Sequence, residues 1–165
     1  MTERVALYPG SFDPVTLGHL DILDRAAAIF DRVVVAVLAN PAKTPLFSAE
    51  ERVQLLRRTI GERQNVEVGT FDGLTVDYAK AVGAIAIVRG LRVVSDFENE
   101  FQMALMNRSL NQDINTVFLM TSFSNVFISS TIIKEVCRFG GDVSDVVPPE
   151  SAEAMRRKFS GERSA

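Results

Sequence analysis

Short apolar segments alternate along the chain with longer segments in which apolar residues recur at helical spacing. The short segments are rich in Val and Ile and predict five strands, at RVALY (4–8), RVVVAVL (32–38), VEVG (66–69), AIAIVR (84–89) and NTVFLM (115–120). Helices are predicted over 18–30, 49–60, 74–82, 97–110, 130–139 and 150–159. Ser48 and Glu51 predict a capping box at the start of the second helix, and Gly140 predicts the end of the fifth.

Strands that are apolar on both faces and are joined by helices indicate a parallel sheet covered on both sides, with right-handed crossovers. The predicted fold class is therefore α/β, a doubly wound, Rossmann-like sheet of five parallel strands with helices on both faces. A chain of 165 residues suits one core. We expect a single domain over residues 1–160 and a flexible tail over 161–165, where the sequence is polar.

Composition and charge narrow the class of protein. Hydrophobic residues make up 47% of the chain, yet no run approaches the ~18 apolar residues of a membrane span. The first ten residues, MTERVALYPG, lack a signal-peptide core, so we expect a cytoplasmic protein. The net charge is -3 and the longest basic cluster is RRK (156–158), which argues against nucleic acid as a partner.

The chain contains one histidine, His19, and one cysteine, Cys137. These numbers exclude an internal disulfide, a zinc site built from His and Cys, and a catalytic set that needs a second histidine. Cys137 lies in KEVCRFG, which reads as a helix face turned to the core, so we expect a buried structural thiol.

Parallel sheets bind ligands beyond the carboxyl ends of their strands, at the point where the strand order reverses. The segments that follow the five predicted strands all carry polar, cationic or hydroxyl groups: residues 9–19, ANPAKTP (39–45), TFDGLT (70–75), RGLR (89–92) and TSFSNVFISST (121–131). The sequence therefore predicts a ligand site at this edge.

His19 is predicted in the first turn of the first helix, where unpaired N–H groups and the helix dipole favour an anion such as phosphate. A histidine that merely covers the turn is the alternative. Arg89 and Arg92 follow a buried strand and could bind phosphate oxygens, or instead form salt bridges with carboxylates at 96, 98 and 100. These alternatives remain open on the residues alone.

Two lysines also fall at this edge. Lys43 follows the second strand, where it could contact a ligand; the alternative is a lysine that is simply solvated. Lys134 lies near the start of the fifth helix, where a cation opposes the dipole unless a bound anion reverses the local field. On the long helix, Phe101, Met103 and Met106 are interpreted as core or subunit-contact residues. The chain has neither a G-x-x-x-x-G-K-[ST] nor a G-x-G-x-x-G motif, which excludes the corresponding NTPases and dehydrogenases.

Three segments carry a resemblance: GSFDPVTLGH (10–19), RGLRVVSDFENEFQMALMN (89–107) and FISSTIIKEV (127–136). Together they closely resemble the bacterial phosphopantetheine adenylyltransferases, and the similarity extends from Val5 to about Val147. TLGH resembles the HxGH signature of nucleotidyltransferases, with Thr16 in the position of the first histidine, and ISSTIIK resembles their second signature.

The resemblance implies transfer of an adenylyl group from ATP to 4'-phosphopantetheine, giving dephospho-coenzyme A and pyrophosphate by direct in-line attack. It implies that His19 binds the α-phosphoryl oxygen. For phosphopantetheine it implies contacts from Ser11, Lys43, Thr75 and Arg89. For ATP it implies contacts from Ser11, Phe12, His19, Gly90, Leu91, Arg92, Glu100, Asn125, Val126, Phe127, Ile128, Ser129, Ser130 and Thr131.

The resemblance also implies Mg²⁺ carried with ATP, without a metal site of the protein's own, and a homohexamer. The chain has Asn99 and Asn125 where the family often has a tyrosine and another aromatic residue. Two other functions remain open from the residues: a nucleotide-binding sensor on the same fold, and a nucleotidyltransferase for another phosphorylated acceptor. Pyrophosphate release that depends on the acceptor distinguishes the three.

Overall fold

The computed structural model describes residues 2–39, 44–92 and 94–163, apart from the side chains of 94–96 and 162–163. Its sheet contains strands β1 (Val5–Gly10), β2 (Arg32–Leu38), β3 (Val66–Phe71), β4 (Ala86–Leu91) and β5 (Asn115–Met120). All neighbours pair in parallel, in the order β3-β2-β1-β4-β5. The predicted fold class is therefore confirmed.

The described chain forms helices α1 (Leu17–Ile29), α2 (Ala49–Ile60), α3 (Thr75–Ala81), α4 (Val94–Leu110), α5 (Ser130–Arg138) and α6 (Pro149–Arg163), with a 3-10 turn at Phe123–Asn125. Each predicted helix is present. The sequence did not predict the 3-10 turn, and α6 overlaps the predicted tail over 161–163. Gly161 does not end α6, since one exposed glycine costs a helix only about 1 kcal/mol.

Local signals explain several of these ends. Ser48 accepts a hydrogen bond from the backbone of Glu51, whose carboxylate accepts one from the backbone of Ser48 at 2.8 Å, so the predicted capping box is present. Gly140 follows Phe139, the C-cap of α5, and has a φ of +85°. That conformation strains residues with a side chain, so glycine ends the helix there.

Three hydrophobic clusters hold the layers together. One packs α1 and α2 on the first face of the sheet, around Ile22, Val35 and Leu56. The second packs α3 on the opposite face. The third joins α2, α5 and α6 and includes Cys137, which is buried as predicted.

The strand order reverses beside β1, which pairs with β2 on one side and β4 on the other. The crossovers leave β1 and β4 in different directions, so their carboxyl ends flank a crevice that no connection covers. Ser11 and Phe12 follow β1 and Arg92 follows β4 at this crevice, which places the sequence-predicted residues of distant segments together.

Helix α4 presents an apolar surface to solvent in the single chain. Phe101, Met103 and Met106 are 46%, 56% and 58% exposed. The expectation that they are core residues is therefore wrong, because about half or more of each side chain is open to solvent in the single chain. Their alternative role, as subunit contacts, stays a prediction. Among the described residues, no helix combines the length and apolar composition needed to cross a bilayer.

Candidate active site

A cavity of about 640 Å³ opens above the carboxyl ends of β1 and β4. Segments from the ends of β1, β2, β4 and β5, from the first halves of α1, α3 and α5 and from the middle of α4 form its wall. Twelve of the predicted site residues line it: Ser11, Phe12, His19, Thr75, Arg89, Gly90, Arg92, Glu100, Ile128, Ser129, Ser130 and Thr131. Asn99, which departs from the family pattern, lines it as well.

The remaining predicted residues lie elsewhere or outside the described residues. Leu91 is buried at the end of β4, and Phe127 is 82% exposed. Neither these two nor Asn125 and Val126 belong to the cavity wall. Lys43 lies outside the described residues. The roles that the resemblance implies for these five positions stay predictions.

His19 closes a capping box at the start of α1. Thr16 is the N-cap, and its hydroxyl accepts a hydrogen bond from the His19 backbone N–H at 3.3 Å. In return, the Thr16 backbone N–H donates to Nδ1 of His19 at 3.0 Å. Because that N–H has a proton to give, Nδ1 must be the unprotonated nitrogen, and the neutral ring carries its hydrogen on Nε2. The sequence alone does not determine this tautomer.

The surroundings keep the His19 ring neutral. Burial, followed by the charges of Arg92 and Arg89, lowers the pKa of His19 from 6.5 to about 4. At neutral pH the side chain is therefore a hydrogen-bond donor through Nε2 and carries no charge of its own. It can stabilise an oxyanion by a fixed N–H without first gaining or losing a proton.

Phe12 fixes the other side of the imidazole. Its ring is 2% exposed and meets the His19 ring edge to face, with centroids 5.1 Å apart. The backbone of Phe12 has a φ of +48°, a conformation that costs a bulky residue of order 1–3 kcal/mol and is common at functional sites. A Cβ on Gly10 would lie 3.0 Å from the Phe12 ring, so a side chain at this position would crowd the ring.

Arg89 forms the salt bridge that the sequence offered as an alternative to ligand binding. Its Nε and Nη2 donate to the two carboxylate oxygens of Glu100, at 2.6 and 2.5 Å, and Nη1 donates to the Pro9 carbonyl at 2.9 Å. Burial lowers the pKa of Arg89, but the hydrogen bonds and charge of Glu100 outweigh it and the net pKa is raised. Glu100 thus fixes a permanently charged guanidinium in the cavity wall.

Arg92 is held by a different contact. Its Nη1 donates to the carbonyl of Ile128 at 2.7 Å, which ties the end of β4 to the segment before α5. Both arginines line the same cavity as His19. The imidazole and two guanidinium groups, from segments 70 residues or more apart in sequence, therefore meet at one site.

A smaller cavity of about 230 Å³ adjoins the first and shares Ser11, Phe12, His19, Ser130 and Thr131 with it. Its wall also includes Asp13, Arg52 and Lys134. Asp13 is buried and accepts hydrogen bonds from the backbone N–H groups of Leu46 and Phe47, both at 2.9 Å, and from Lys134 Nζ at 2.7 Å.

The Asp13 carboxylate accounts for Lys134 near the start of α5. The sequence suggested that a bound anion offsets the unfavourable dipole there, but Asp13 supplies that negative charge. Sequence reasoning missed Asp13 and Arg52 as site residues. A signal for Arg52 existed: it shares the inner face of α2 with Leu55 and Leu56, where a charged residue needs a specific reason.

The fold and the site together define a nucleotidyltransferase of the Rossmann-like class. The cytidylyltransferase-like family model matches residues 7–136. The structure is also similar to that of Plasmodium falciparum nicotinic acid mononucleotide adenylyltransferase complexed with NaAD, with a TM-score of 0.69 and 16% identity over 94% of this chain and 96% of that one. At this identity the likeness concerns the fold.

Sequence relatives identify the family within this class. A Caldanaerobacter subterraneus phosphopantetheine adenylyltransferase is 57% identical over 94% of this chain and 98% of its own length. Another, from Geobacter sulfurreducens, is 51% identical over 98% of both chains. The chain belongs to the phosphopantetheine adenylyltransferase family, which confirms the resemblance, and it is an enzyme of the nucleotidyltransferase class.

Proposed function

We propose that the enzyme transfers the adenylyl group of ATP to 4'-phosphopantetheine, giving dephospho-coenzyme A and pyrophosphate. Relatives of more than 50% identity carry the name of this activity. The observation that carries the proposal is the convergence of the neutral His19 donor with Arg89 and Arg92 on one cavity of about 640 Å³. Such a site suits a reaction in which negative charge moves between phosphates.

The reaction needs no nucleophile from the protein. An oxygen of the phosphopantetheine phosphate attacks the α-phosphorus of ATP. The bond between that phosphorus and the oxygen that bridges it to the β-phosphorus breaks. The electron pair leaves with pyrophosphate. The protein's part is to hold both substrates in line and to stabilise the charge that develops.

His19 donates its Nε2–H to an oxygen of the α-phosphoryl group. The bond from Thr16 to Nδ1 holds the ring in the donating tautomer, and Phe12 restricts its tilt. Because the donor is in place before the reaction, its hydrogen bond becomes stronger as charge accumulates in the transition state, and the site does not need to reorganise.

The two substrates occupy opposite sides of the cavity. Arg89, Ser11 and Thr75 bind phosphopantetheine with Lys43, and the segment around Arg92, Glu100 and 125–131 binds ATP. This division follows the family resemblance. The structure adds that Glu100 orients the Arg89 guanidinium, so Glu100 acts at the boundary between the two halves.

Magnesium enters with ATP. Among the described residues, no three His, Cys, Asp or Glu side chains come together as a metal site. An ion that is coordinated by triphosphate oxygens and water needs no such cluster. When bound, it neutralises part of the phosphate charge.

The activity is tested by mixing the protein, ATP and Mg²⁺ with 4'-phosphopantetheine and measuring pyrophosphate release. We expect release with this acceptor and none with water alone. A matched acceptor, pantetheine without its phosphate, should give none, because it lacks the attacking group. Tight ATP binding without turnover would instead support a nucleotide sensor, and turnover with a different phosphorylated acceptor would reassign the substrate.

We further propose a homohexamer in the cytoplasm. The exposed apolar side chains of α4 support self-association, because so many are unusual on a monomer: Phe97, Phe101, Met103, Leu105, Met106 and Leu110. Light scattering after size-exclusion chromatography tests the assembly. A mass of one chain, 18.2 kDa, at micromolar concentration would contradict it.

A further inference from the structure

Arg52 is an unusual buried cation. The residue is 4% exposed. Its Nε donates to the carbonyls of Phe47 and Ser48, at 3.1 and 3.3 Å, and its Nη1 donates to those of Ser11 and Leu38, at 2.8 and 3.2 Å. Every one of these acceptors is a neutral backbone oxygen, so the hydrogen bonds leave the positive charge without a counter-charge.

The carboxylates nearby form no ion pair with Arg52 in the described part of the chain. Asp13, which shares the smaller cavity with Arg52, is paired with Lys134 at 2.7 Å. Glu50 is exposed and accepts a hydrogen bond from the hydroxyl of Ser48; the charge of Arg52 contributes to its lowered pKa only after these hydrogen bonds. Within the described residues, no carboxylate lies at ion-pairing distance from Arg52. Because a buried charge without a partner is costly, this site favours an anion from outside the protein.

The geometry also leaves a donor for that anion. Nη2 of Arg52 bonds to no group in the described part of the chain, and Arg52 forms part of the wall of the 230 Å³ cavity. The hydroxyl residues Ser11, Ser130 and Thr131 line the same space. It is several times the ~30 Å³ that one water occupies in the liquid, so it has room for a phosphate group.

The smaller and the larger cavity share His19, Ser130 and Thr131 in their walls. His19 and Arg52 line the same cavity, so a phosphate chain whose α-phosphoryl group lies at His19 can extend along the wall that contains Arg52. We infer that Arg52 is a further catalytic residue, which binds the β- and γ-phosphates of ATP through Nη2 and stabilises the departing pyrophosphate. This inference rests on the proposed function.

The charge balance explains the catalytic effect. When the bond between the α-phosphorus and the bridging oxygen breaks, its electron pair moves to the pyrophosphate, which gains one negative charge. A guanidinium that is already desolvated and already held by backbone carbonyls stabilises that charge without reorganising. Arg52 thereby acts on the leaving group, whereas His19 acts on the transferring group.

The test compares pyrophosphate with AMP as inhibitors of the forward reaction in wild type and Arg52→Gln. We expect the inhibition constant of pyrophosphate to rise about 10- to 100-fold, since hydrogen bonds to charged groups are worth about 1.5–3 kcal/mol. The constant for AMP should change less than about twofold, because AMP lacks the β- and γ-phosphates. Arg58→Gln, an exposed arginine on the same helix, is the matched control and should leave both constants unchanged.

If Arg52 only holds the backbone of the site in place, a different result is expected. Loss of its bonds to Ser11 and Leu38 would displace the whole site and weaken the binding of pyrophosphate and of AMP equally. Such a result would overturn the inference. So would an unchanged inhibition constant for both compounds. If Arg52→Gln fails to fold, the same two inhibition constants are measured for Arg52→Lys. This variant keeps the charge but loses the guanidinium fork, so the constant for pyrophosphate should again rise more than the constant for AMP. If wild type is active and the substitution changes both inhibition constants by the same factor, the role of Arg52 is disproved and the proposed function stands.

Discussion

The backbone N–H of Thr16 donates to Nδ1 of His19 at 3.0 Å, and the Thr16 hydroxyl lies 3.0 Å from the same nitrogen. A backbone group therefore sets the tautomer of the chain's one histidine. Since the capping box places the ring at the start of α1, the local fold of the helix and the direction of the Nε2 donor are fixed by the same contacts.

Replacing His19 with Ala should reduce turnover by about 10²–10³ while the protein folds normally, the range for removing one preorganised donor in a transition state. Steady-state kinetics measure turnover, and calorimetric titration with ATP checks that binding persists. Turnover equal to that of wild type would overturn the catalytic role of the imidazole.

The depressed pKa of His19 should make stability depend on pH. The folded-state pKa is about 4 and the ordinary value is 6.5, so between these values the unfolded chain binds a proton that the folded chain does not. Stability should therefore fall as the pH drops from about 6.5 to about 4, by at most about 3 kcal/mol. It should not change on this account above pH 6.5.

Urea unfolding of wild type and His19→Gln at several pH values isolates this contribution, because the other titrating groups are common to both proteins. The difference between the two free energies of unfolding should follow the stated trend. A difference that is constant from pH 7.5 to pH 4.5 would mean that His19 is not held neutral by its surroundings.

Arg89→Ala should raise the KM for phosphopantetheine more than the KM for ATP, since the guanidinium is assigned to the acceptor side. Arg89→Lys keeps the charge for Glu100 and should show the same preference with a smaller change. Arg57→Ala, on the exposed face of α2, is the control and should alter neither constant. Equal increases for both substrates would disprove the division of the cavity.

Asp13→Ala should destabilise the protein by roughly 3–5 kcal/mol, the usual cost of removing one partner from a buried ion pair. The substitution leaves Lys134 and two backbone N–H groups without their acceptor. Chemical denaturation gives the free energy of unfolding. Asp72→Ala, at an exposed position directly after β3, should stay within about 0.5 kcal/mol of wild type. A loss as small as that control would mean that Asp13 is not needed to hold these groups.

Alanine substitutions at Gly90 and Gly161 should have opposite effects on stability. A Cβ on Gly90 would lie 2.9 Å from Cγ1 of Ile22, so Gly90→Ala should cost about 1–3 kcal/mol through overpacking. A Cβ on Gly161 meets nothing within 4 Å, and Gly161→Ala should stabilise α6 by about 0.5–1 kcal/mol. Thermal unfolding compares the two, and a lower melting temperature for Gly161→Ala would contradict the assignment of this helix.

The predicted elements agree with the structure because their signals are local. The boundaries of β2, α2 and β5 match the prediction residue for residue. The apolar repeat of each, together with the Ser48–Glu51 cap for α2, acts within a few residues of the chain. The 3-10 turn at Phe123–Asn125 was missed because its sequence has no periodicity, and the helical period of α4 does not reveal which of its faces another element covers.

The sequence by itself determined the alternation of strands and helices, the fold class and the polar loops that follow the strands, since these depend on short-range periodicity and capping. Tertiary structure alone decided the partners of the charged groups. Lys134 meets Asp13, 121 residues away, and Arg52 binds the carbonyl of Ser11, 41 residues away. Such contacts follow from how the crossovers pack on the sheet, and burial there decides which charges are matched and which remain for a ligand.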